Sequence, residues 1–313
     1  MISYALRRLA AGLVLALLVS VITFWLLSYS FESVVASLLG SGATDAEVQA
    51  RMTDMGMDRP VLAQYADWLG AALTGDLGDS YFTNEPVIGA LTDRLGVTLS
   101  VVVTALLITA VVSVLLGVTA ATRGGGADRA AQGISLVGYL VPSLLLAIGL
   151  VYVFAIKLKW LPATGFTPLS ENPGKWAQSI VIPVAALMIA GIATLTAQVR
   201  GAMIDELRKD YVRTLRTRGL SPRRIVLRHV LRNAAGPALT VLSLEFLTML
   251  GGSLVIENVF ALPGFGSFAF NASLQGDIPV IMGVMILAVL MVIVVNLAVD
   301  LMNGWLNPKA RVR

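Results

Sequence analysis

The chain has 313 residues, of which 57% are hydrophobic and only 13% are charged. Soluble domains are about 45–50% apolar and about 25% charged, so this composition excludes an ordinary water-soluble protein and predicts an integral membrane protein. The absence of cysteine excludes disulfides, thiolate catalysis and cysteine-ligated zinc.

The first apolar run extends from Leu9 to about Ser30 and follows two cations, Arg7 and Arg8. About 20 apolar residues span a bilayer, whereas the core of a signal peptide has only ~7–15. Residues 1–30 are therefore predicted to be a retained transmembrane helix with a cytoplasmic N-terminus. The alternative is a signal peptide that is cleaved near Val35–Ala36.

Residues 31–96 are polar and acidic, and they predict an external helical segment between the first two transmembrane helices. Thr44 is followed three residues later by a glutamate, which is the pattern of a capping box, so a helix is predicted over Thr44–Met55. A second, amphipathic helix is predicted over Pro60–Leu73 and a turn over Gly75–Tyr81.

Further apolar runs are long enough to cross a bilayer, namely Val97–Ala121, Gly133–Ile156, Ser179–Val199, Ala238–Val259 and Pro279–Leu306. Pro142 lies in the middle of one run and is expected to kink it, because proline frees a backbone carbonyl. The glycine-rich stretch Phe260–Gly276 predicts an external or re-entrant loop. The fold class is therefore an all-α membrane protein with six transmembrane helices, whose core covers 97–306.

Cations are concentrated in one loop of that core, 200–236. Asp210 is predicted to be the N-cap of a helix that begins at Tyr211, and Gly219 fits the left-handed position just after the end of this helix. The predicted helix has about two turns and ends in a sharp break at Gly219–Leu220.

A second helix is predicted after the break. Ser221 is expected to cap it, with Pro222 at its first position, where a missing N–H costs nothing. This helix is expected to lead to Pro237.

The distribution of charge sets the predicted topology. Most of the 23 lysines and arginines fall on one side of the membrane if both termini, including the tail 307–313, and the loop 200–236 are cytoplasmic. A loop that does no more than set the topology is the alternative interpretation of the basic run.

The sequence from Asp210 to Pro237 resembles the cytoplasmic EAA loop of ABC-importer permeases, in the form used by the dipeptide/oligopeptide/nickel branch. The matching positions are Asp210, Tyr211, Arg213, Thr214, Arg216, Gly219, Leu220, Ser221, Arg228, His229, Leu231, Arg232, Asn233, Ala234 and Pro237. Mild departures occur at Leu215 and Arg218. The external segment after Asp58, the stretch Glu257–Gly266 and the C-terminal end from Asn296 resemble the same family.

The resemblance implies a type I ABC importer permease fold, with one N-terminal helix and a five-helix core. It implies that the short helix is a coupling helix, which seats in a groove of a separate ATPase. The coupling residues would be Asp210, Tyr211, Arg213, Thr214, Leu215, Arg216, Gly219, Leu220, Ser221 and Pro222. The external segment would be a cap near the dock of a substrate-binding protein, or else a folded spacer.

The same resemblance implies the partners and the location. The partners would be a second homologous permease, two ABC ATPase subunits, an extracytoplasmic substrate-binding protein and membrane lipid. The location would be the bacterial cell membrane. The implied function is ATP-driven import, with di- and oligopeptides as the first prediction and nickel chelates or another small solute as the alternative.

The residue inventory predicts a subunit with no catalytic residue, no cofactor, no metal and no nucleic-acid partner. A phosphate-binding Gly-x4-Gly-Lys-Ser/Thr run is absent, so the chain is not expected to bind a nucleotide, and the resemblance assigns ATP hydrolysis to the separate ATPase subunits. His229 is the only histidine, which disfavours a metal site or a catalytic pair. A stand-alone secondary transporter would need inverted repeats and intramembrane ion ligands, and neither is visible. A membrane-embedded enzyme would need a nucleophile–base pair or a metal cluster.

Glu245 lies in the middle of an apolar run. An unpaired charge at this depth is costly, so an intramembrane carboxylate suggests a function. Glu245 is predicted either to line the translocation pathway or to pair across helices.

Overall fold

The computed structural model describes residues 2–40 and 42–306, so the predicted tail 307–313 lies outside the described residues. Within these ranges the chain is helical and forms no β-strand. The first helices are α1 Ile2–Ser28, α2 Phe31–Leu39, α3 Asp45–Asp54, α4 Val61–Leu73, α5 Val87–Arg123, α6 Gly125–Leu140 and α7 Ser143–Leu150. They are followed by α8 Pro173–Leu207, α9 Asp210–Thr217, α10 Pro222–Arg224, α11 Leu231–Val259, α12 Phe265–Gln275 and α13 Ile278–Leu306.

Two short π-helical stretches interrupt this pattern. Val151–Lys157 continues α7, and Ile225–Val230 joins α10 to α11. The helical path therefore runs without a break from Pro222 to Val259.

In the described part of the chain, five helical stretches are long and apolar enough to cross a membrane. They are Ala5–Ser28, Val87–Arg123, Pro173–Leu207, Pro222–Val259 and Ile278–Leu306. The bent pair Gly125–Leu140 and Ser143–Lys157 gives a sixth stretch if it is counted as one span. Length and composition thus agree with the predicted six spans, one of them broken.

The break between Gly125–Leu140 and Ser143–Lys157 is at Pro142, where the sequence predicts a kink. Val141, the residue before the proline, is extended with φ −91° and ψ 113°, because the proline ring excludes the helical region there. The two helical parts meet at 97°. The predicted kink is confirmed, although the helix is interrupted rather than bent.

The predicted loop over Phe260–Gly276 is wrong in its central part, because α12 occupies Phe265–Gln275. Apolar burial stabilises this helix: Phe265 and Ala272 are both 4% exposed. It ends at Gly276, which is left-handed at φ +73° and bonds back to the Ala272 carbonyl, as is common at helix C-termini. The helix α2 was not predicted either.

The chain forms two compact units. The first is built mainly from Val97–Leu262, and the second from Arg7–Gly96 and Pro263–Ile293. In the first unit, small residues let the helices approach closely. A Cβ on Gly138 of α6 would lie 2.7 Å from Ala193 of α8, and one on Gly117 would lie 2.7 Å from Val199, which is typical of membrane helix interfaces.

The second unit has its own apolar core around the C-terminal part of α1. Phe24, Phe31, Val35 and Tyr65 belong to this core, and the Tyr65 hydroxyl lies 2.8 Å from the Ser20 hydroxyl. The predicted capping box of α3 is confirmed, since Thr44 accepts from the N3 backbone and donates back to the N3 glutamate.

A buried carboxylate also fixes the second unit. Asp277 is 3% exposed and accepts hydrogen bonds from the Ser80 hydroxyl at 2.5 Å and the Tyr81 backbone N–H at 3.2 Å. The guanidinium of Arg94 lies 4.2 Å from the ring centre of Phe268 on α12. These contacts tie the turn after α4 to the junction of α12 and α13.

Candidate functional site

The short helix α9 lies between α8 and α10, and its two turns, Asp210–Thr217, confirm the predicted length. The predicted N-cap is wrong by one residue. Lys209 is the cap, with extended φ −71° and ψ 148°, and Asp210 is already helical. A carboxylate in the first turn still stabilises the helix through its dipole. The Asp210 carboxylate lies 3.5 Å from the Arg213 guanidinium.

The break after α9 has the predicted geometry. Gly219 has φ +75°, and the Gly219 and Leu220 N–H groups donate back to the carbonyls of Arg216 and Leu215 at 3.0 and 3.3 Å. A Cβ at Gly219 would have no described atom within 4 Å. Glycine is therefore favoured here by its backbone conformation and not by lack of space.

The next helix begins at Pro222 with Ser221 as its N-cap residue, as predicted, although the Ser221 hydroxyl makes no capping bond. The helix does not stop at Pro237, which lies inside α11. Membrane helices tolerate such prolines, because neighbouring helices and side chains satisfy the freed backbone groups.

The two faces of α9 differ in character. Asp210 and Arg213 have side chains that are 94% and 79% exposed, and Arg216 is exposed beside them. On the opposite face, Val212 is fully buried among Leu195, Val199, Met203, Ile225, Val230 and Ala234. Tyr211, Leu215 and Leu220 pack against this cluster, so one face is anchored in the bundle and the other is free for contact.

A polar network also holds α9. The Tyr211 hydroxyl donates to Glu206 at 2.9 Å and accepts from the Asn233 amide at 3.2 Å, and Lys209 pairs with Glu206. Burial raises the pKa of Tyr211; the Asn233 bond opposes this shift and Glu206 adds to it. The network connects the end of α8, the first turn of α9 and the start of α11.

Thr214 exposes its side chain and bonds its hydroxyl to the Asp210 carbonyl at 3.2 Å. Val212 and Glu206 have no role in the sequence-based predictions, in which Asn233 is only a position that matches the family. Val212 has a signal in the sequence, because it and Leu215 are the two aliphatic residues of α9 and lie three residues apart, on one side of the helix. Glu206 has none, because its partners are set by the tertiary fold.

Glu245, predicted to lie on the pathway or to pair across helices, is 8% exposed. It lies on the side of α11 that packs against α8, where a Cβ on Gly191 would be 3.2 Å from its carboxylate. A second buried acid of α11, Glu257, accepts from the Thr98 hydroxyl of α5 at 2.5 Å. Both acids thus lie at helix–helix contacts.

The described chain combines helices that are long and apolar enough to cross a membrane with a short helix, α9, that has one buried and one exposed face. The chain belongs to the family of binding-protein-dependent transport system inner membrane components, whose model matches residues 113–312, while the model of the family's N-terminal region matches residues 1–102.

Relatives match along almost the whole chain. A probable peptide ABC transporter permease of Sinorhizobium fredii is 34% identical over 98% of this chain and 99% of its own length. A putative peptide transport system permease of Brucella abortus is 33% identical over 99% of both chains. The di/tripeptide transport system permease DppB of Pseudomonas aeruginosa is 32% identical over 99% of both chains.

Among solved structures, the inward-facing methionine ABC transporter MetNI matches with a TM-score of 0.56 and 16% identity, over 71% of this chain and 99% of that chain. At this identity the match supports the fold, and the predicted ABC importer permease fold is confirmed. The chain is a multi-pass inner-membrane permease subunit of an ATP-driven importer and not an enzyme. Its family works with an ATPase and a substrate-binding protein.

Proposed function

We propose that the chain forms half of a translocation pathway for di- and oligopeptides. The observation that carries this proposal is the match, at 32–34% identity over nearly the full length, to permeases named for peptides in three bacterial genera. A second, homologous permease would supply the other half, and an extracytoplasmic binding protein would deliver the peptide. The external segment 31–96 would lie near that delivery site.

The exposed face of α9 is the proposed docking surface for the ATPase. Asp210, Arg213 and Arg216 project from it, and charged groups on an exposed helix favour fast, oriented association with a complementary groove. With two permeases, two ATPase subunits would dock in this way. This arrangement makes α9, both termini and the tail 307–313 cytoplasmic.

The buried face of α9 would transmit the motion. Val212 is held in the cluster that contains Leu195 of α8 and Ala234 of α11, and Tyr211 bonds to both of these long helices through Glu206 and Asn233. A displacement of α9 by the closing ATPase pair would therefore displace α8 and α11. Packed elements of this kind switch between discrete arrangements, which is how alternating access operates.

Glu245 is proposed to reach the pathway when α8 and α11 separate. This proposal is supported by the free energy that it costs to place an acidic side chain in the middle of a membrane span, because such residues are found where they have a function or a partner. Glu245→Gln should lower peptide uptake without changing the amount of folded protein. Unchanged uptake at unchanged expression would reduce Glu245 to a packing residue.

The decisive test is reconstitution of the full complex in proteoliposomes, with uptake of labelled dipeptide as the readout. Uptake should require ATP, both permeases and the binding protein. Nickel-chelate uptake without peptide uptake would replace the substrate class, and ATP-independent uptake would indicate a secondary transporter. The complex with an ATPase that cannot hydrolyse ATP is the control.

A further inference from the structure

A cavity of about 990 Å³ lies beside α9, and neither Asp210 nor Arg213 is among the described residues that line it. The ends of three long helices surround it. Glu206 comes from the end of α8, Asn233 from the start of α11 and Leu306 from the end of α13. Asp210, Arg213 and Arg216, which project from the exposed face of α9, do not line this cavity, whereas Tyr211, Thr214 and Leu215 of the same helix do.

The cavity is strongly cationic. Among the described residues, four lining side chains carry a positive charge, namely Lys209, Arg218, Arg228 and Arg232. The one carboxylate among the same described lining residues, Glu206, is bound by Lys209 and by the Tyr211 hydroxyl.

The arginines of the cavity have donors to spare. Within residues 2–40 and 42–306, Arg218 and Arg228 have no carboxylate partner, and the Arg232 Nε donates to the Leu306 carbonyl at 3.3 Å. Guanidinium groups with free donors match the geometry of a phosphate, to which they bind with two parallel bonds.

The position of the cavity along the spanning helices favours a lipid as its occupant. The ends of three helices that are long and apolar enough to cross a membrane meet there. Trp305, beside the cavity residue Leu306, is 67% exposed, as expected for an aromatic anchor at the membrane interface. Towards the bilayer, α13 exposes Val294 and Met302, and Leu227, next to Arg228, is 61% exposed.

We propose that this cavity binds the headgroup of an anionic phospholipid from the adjacent leaflet. The phosphate would contact Arg218 and Arg228, and the acyl chains would follow the exposed apolar surface of α13. Basic pockets between spanning helices are suited to such headgroups. The tail after Leu306 is a poor occupant, because Lys309, Arg311 and Arg313 make it cationic.

The site has a consequence for α9. A bound headgroup would neutralise Arg218 and Arg228, which line the same cavity and lie before and after Gly219 in the sequence. An anionic lipid would therefore hold the end of α9 to the π-helical turn Ile225–Val230, in addition to the Val212 and Tyr211 contacts. The inference concerns lipid binding by this chain and does not require that the transported solute be a peptide.

Native mass spectrometry of the full-length chain, released from nanodiscs of mixed phosphatidylglycerol and phosphatidylcholine, tests the site. The wild type should retain one phosphatidylglycerol in preference to phosphatidylcholine. The double variant Arg218→Gln/Arg228→Gln should retain it at least fivefold less. Arg223→Gln/Arg224→Gln is the matched control, because it removes the same charge from exposed positions of the same segment that do not line the cavity.

Several outcomes would overturn the proposal. Equal loss in both double variants would indicate general surface attraction, and displacement of the lipid by millimolar inorganic phosphate would indicate a site for the free ion. If Arg228 cross-links to an acidic segment of the ATPase, and the cross-linked complex retains as much phosphatidylglycerol as the chain alone, the lipid is bound elsewhere and the cavity belongs to the protein partner.

Misfolding is controlled by a thermal unfolding titration with phosphatidylglycerol in neutral detergent. A ligand that binds only the folded state raises the unfolding temperature as its concentration rises. The wild type and the control should show this rise. A folded Arg218→Gln/Arg228→Gln variant with an equal rise would refute the site.

Discussion

Two short helices join long ones in this molecule, and they are built in opposite ways. The helix α12 buries Phe265, Gly266 and Ala272, and the Arg94 guanidinium covers its Phe268 ring. The helix α9 buries only Val212. Its other contacts with the bundle are made by the partly buried Tyr211 and Leu215 and by the hydrogen bonds of the Tyr211 hydroxyl. Thus α12 is part of a core, whereas α9 is attached to a core by one face and leaves the other face exposed.

The largest effect is expected where a core is disrupted, next to α12. Asp277→Ala leaves the buried Ser80 hydroxyl and the Tyr81 N–H without their acceptor. Each unsatisfied buried donor costs about 1–3 kcal/mol, so the loss of the acceptor for both should lower the free energy of unfolding by ~2–6 kcal/mol. Thermal unfolding in detergent measures this fall. Asp79→Ala, at an exposed carboxylate, is the control, and an equal loss there would contradict the anchoring role.

A smaller effect on stability, but a large one on coupling, is expected beside α9. Gly219→Val places a β-branched residue at φ +75°, which costs about 1–2 kcal/mol. The break should deform and ATP hydrolysis should no longer drive uptake. The ratio of ATP hydrolysed to solute imported is the measurement. Gly219→Asn tolerates the left-handed conformation and should keep coupling; wild-type coupling in the valine variant would contradict the assignment.

The pH dependence of stability should also distinguish the two regions. Burial, with Asp277 adding to it, raises the pKa of Tyr81 from 10.0 to about 12. The folded state holds this proton more tightly than the unfolded chain, so its contribution is complete below pH 10 and is lost as pH rises through about 12. The free energy of unfolding should therefore fall less steeply with pH, between pH 10 and about 12, in Tyr81→Phe than in the wild type. Parallel curves would refute the shift.

The smallest change in stability is expected on the exposed face of α9. The Arg213–Asp210 pair is open to solvent, and such pairs contribute about 0–1 kcal/mol. Arg213→Ala and Arg216→Ala should therefore leave unfolding almost unchanged while they weaken co-purification with the ATPase. Arg224→Ala controls for general charge. If it weakens co-purification equally, α9 is not the specific contact.

The sequence predicted α9 well because its signals are local. A left-handed glycine, a proline at a helix start and an ordered run of cations can each be interpreted without knowledge of the fold. The helix α12 was missed because its stability depends on burial of Phe265 and Ala272, which is a property of the tertiary structure. The glycines around it favoured a loop.

The same limit applies to the contacts of α9. Tyr211 was singled out, but its partner Glu206 could not be, because the pairing depends on how α8 ends. Pro142 predicted a kink, and the angle of 97° depends on the packing of the two halves. Local signals thus located the break points, while side-chain partners required the packed chain.

The π-helical turn Ile225–Val230 has a consequence for everything that follows it in α11. A π-type turn holds more residues than an α-turn, and each residue of an α-helix advances the helix by about 100°. The wide turn therefore sets the rotational phase of α11. Removing a single residue from it would rotate Glu245 and Glu257 by about 100° around the helix axis. Glu245 would then leave Gly191, and Glu257 would lose its hydrogen bond from Thr98.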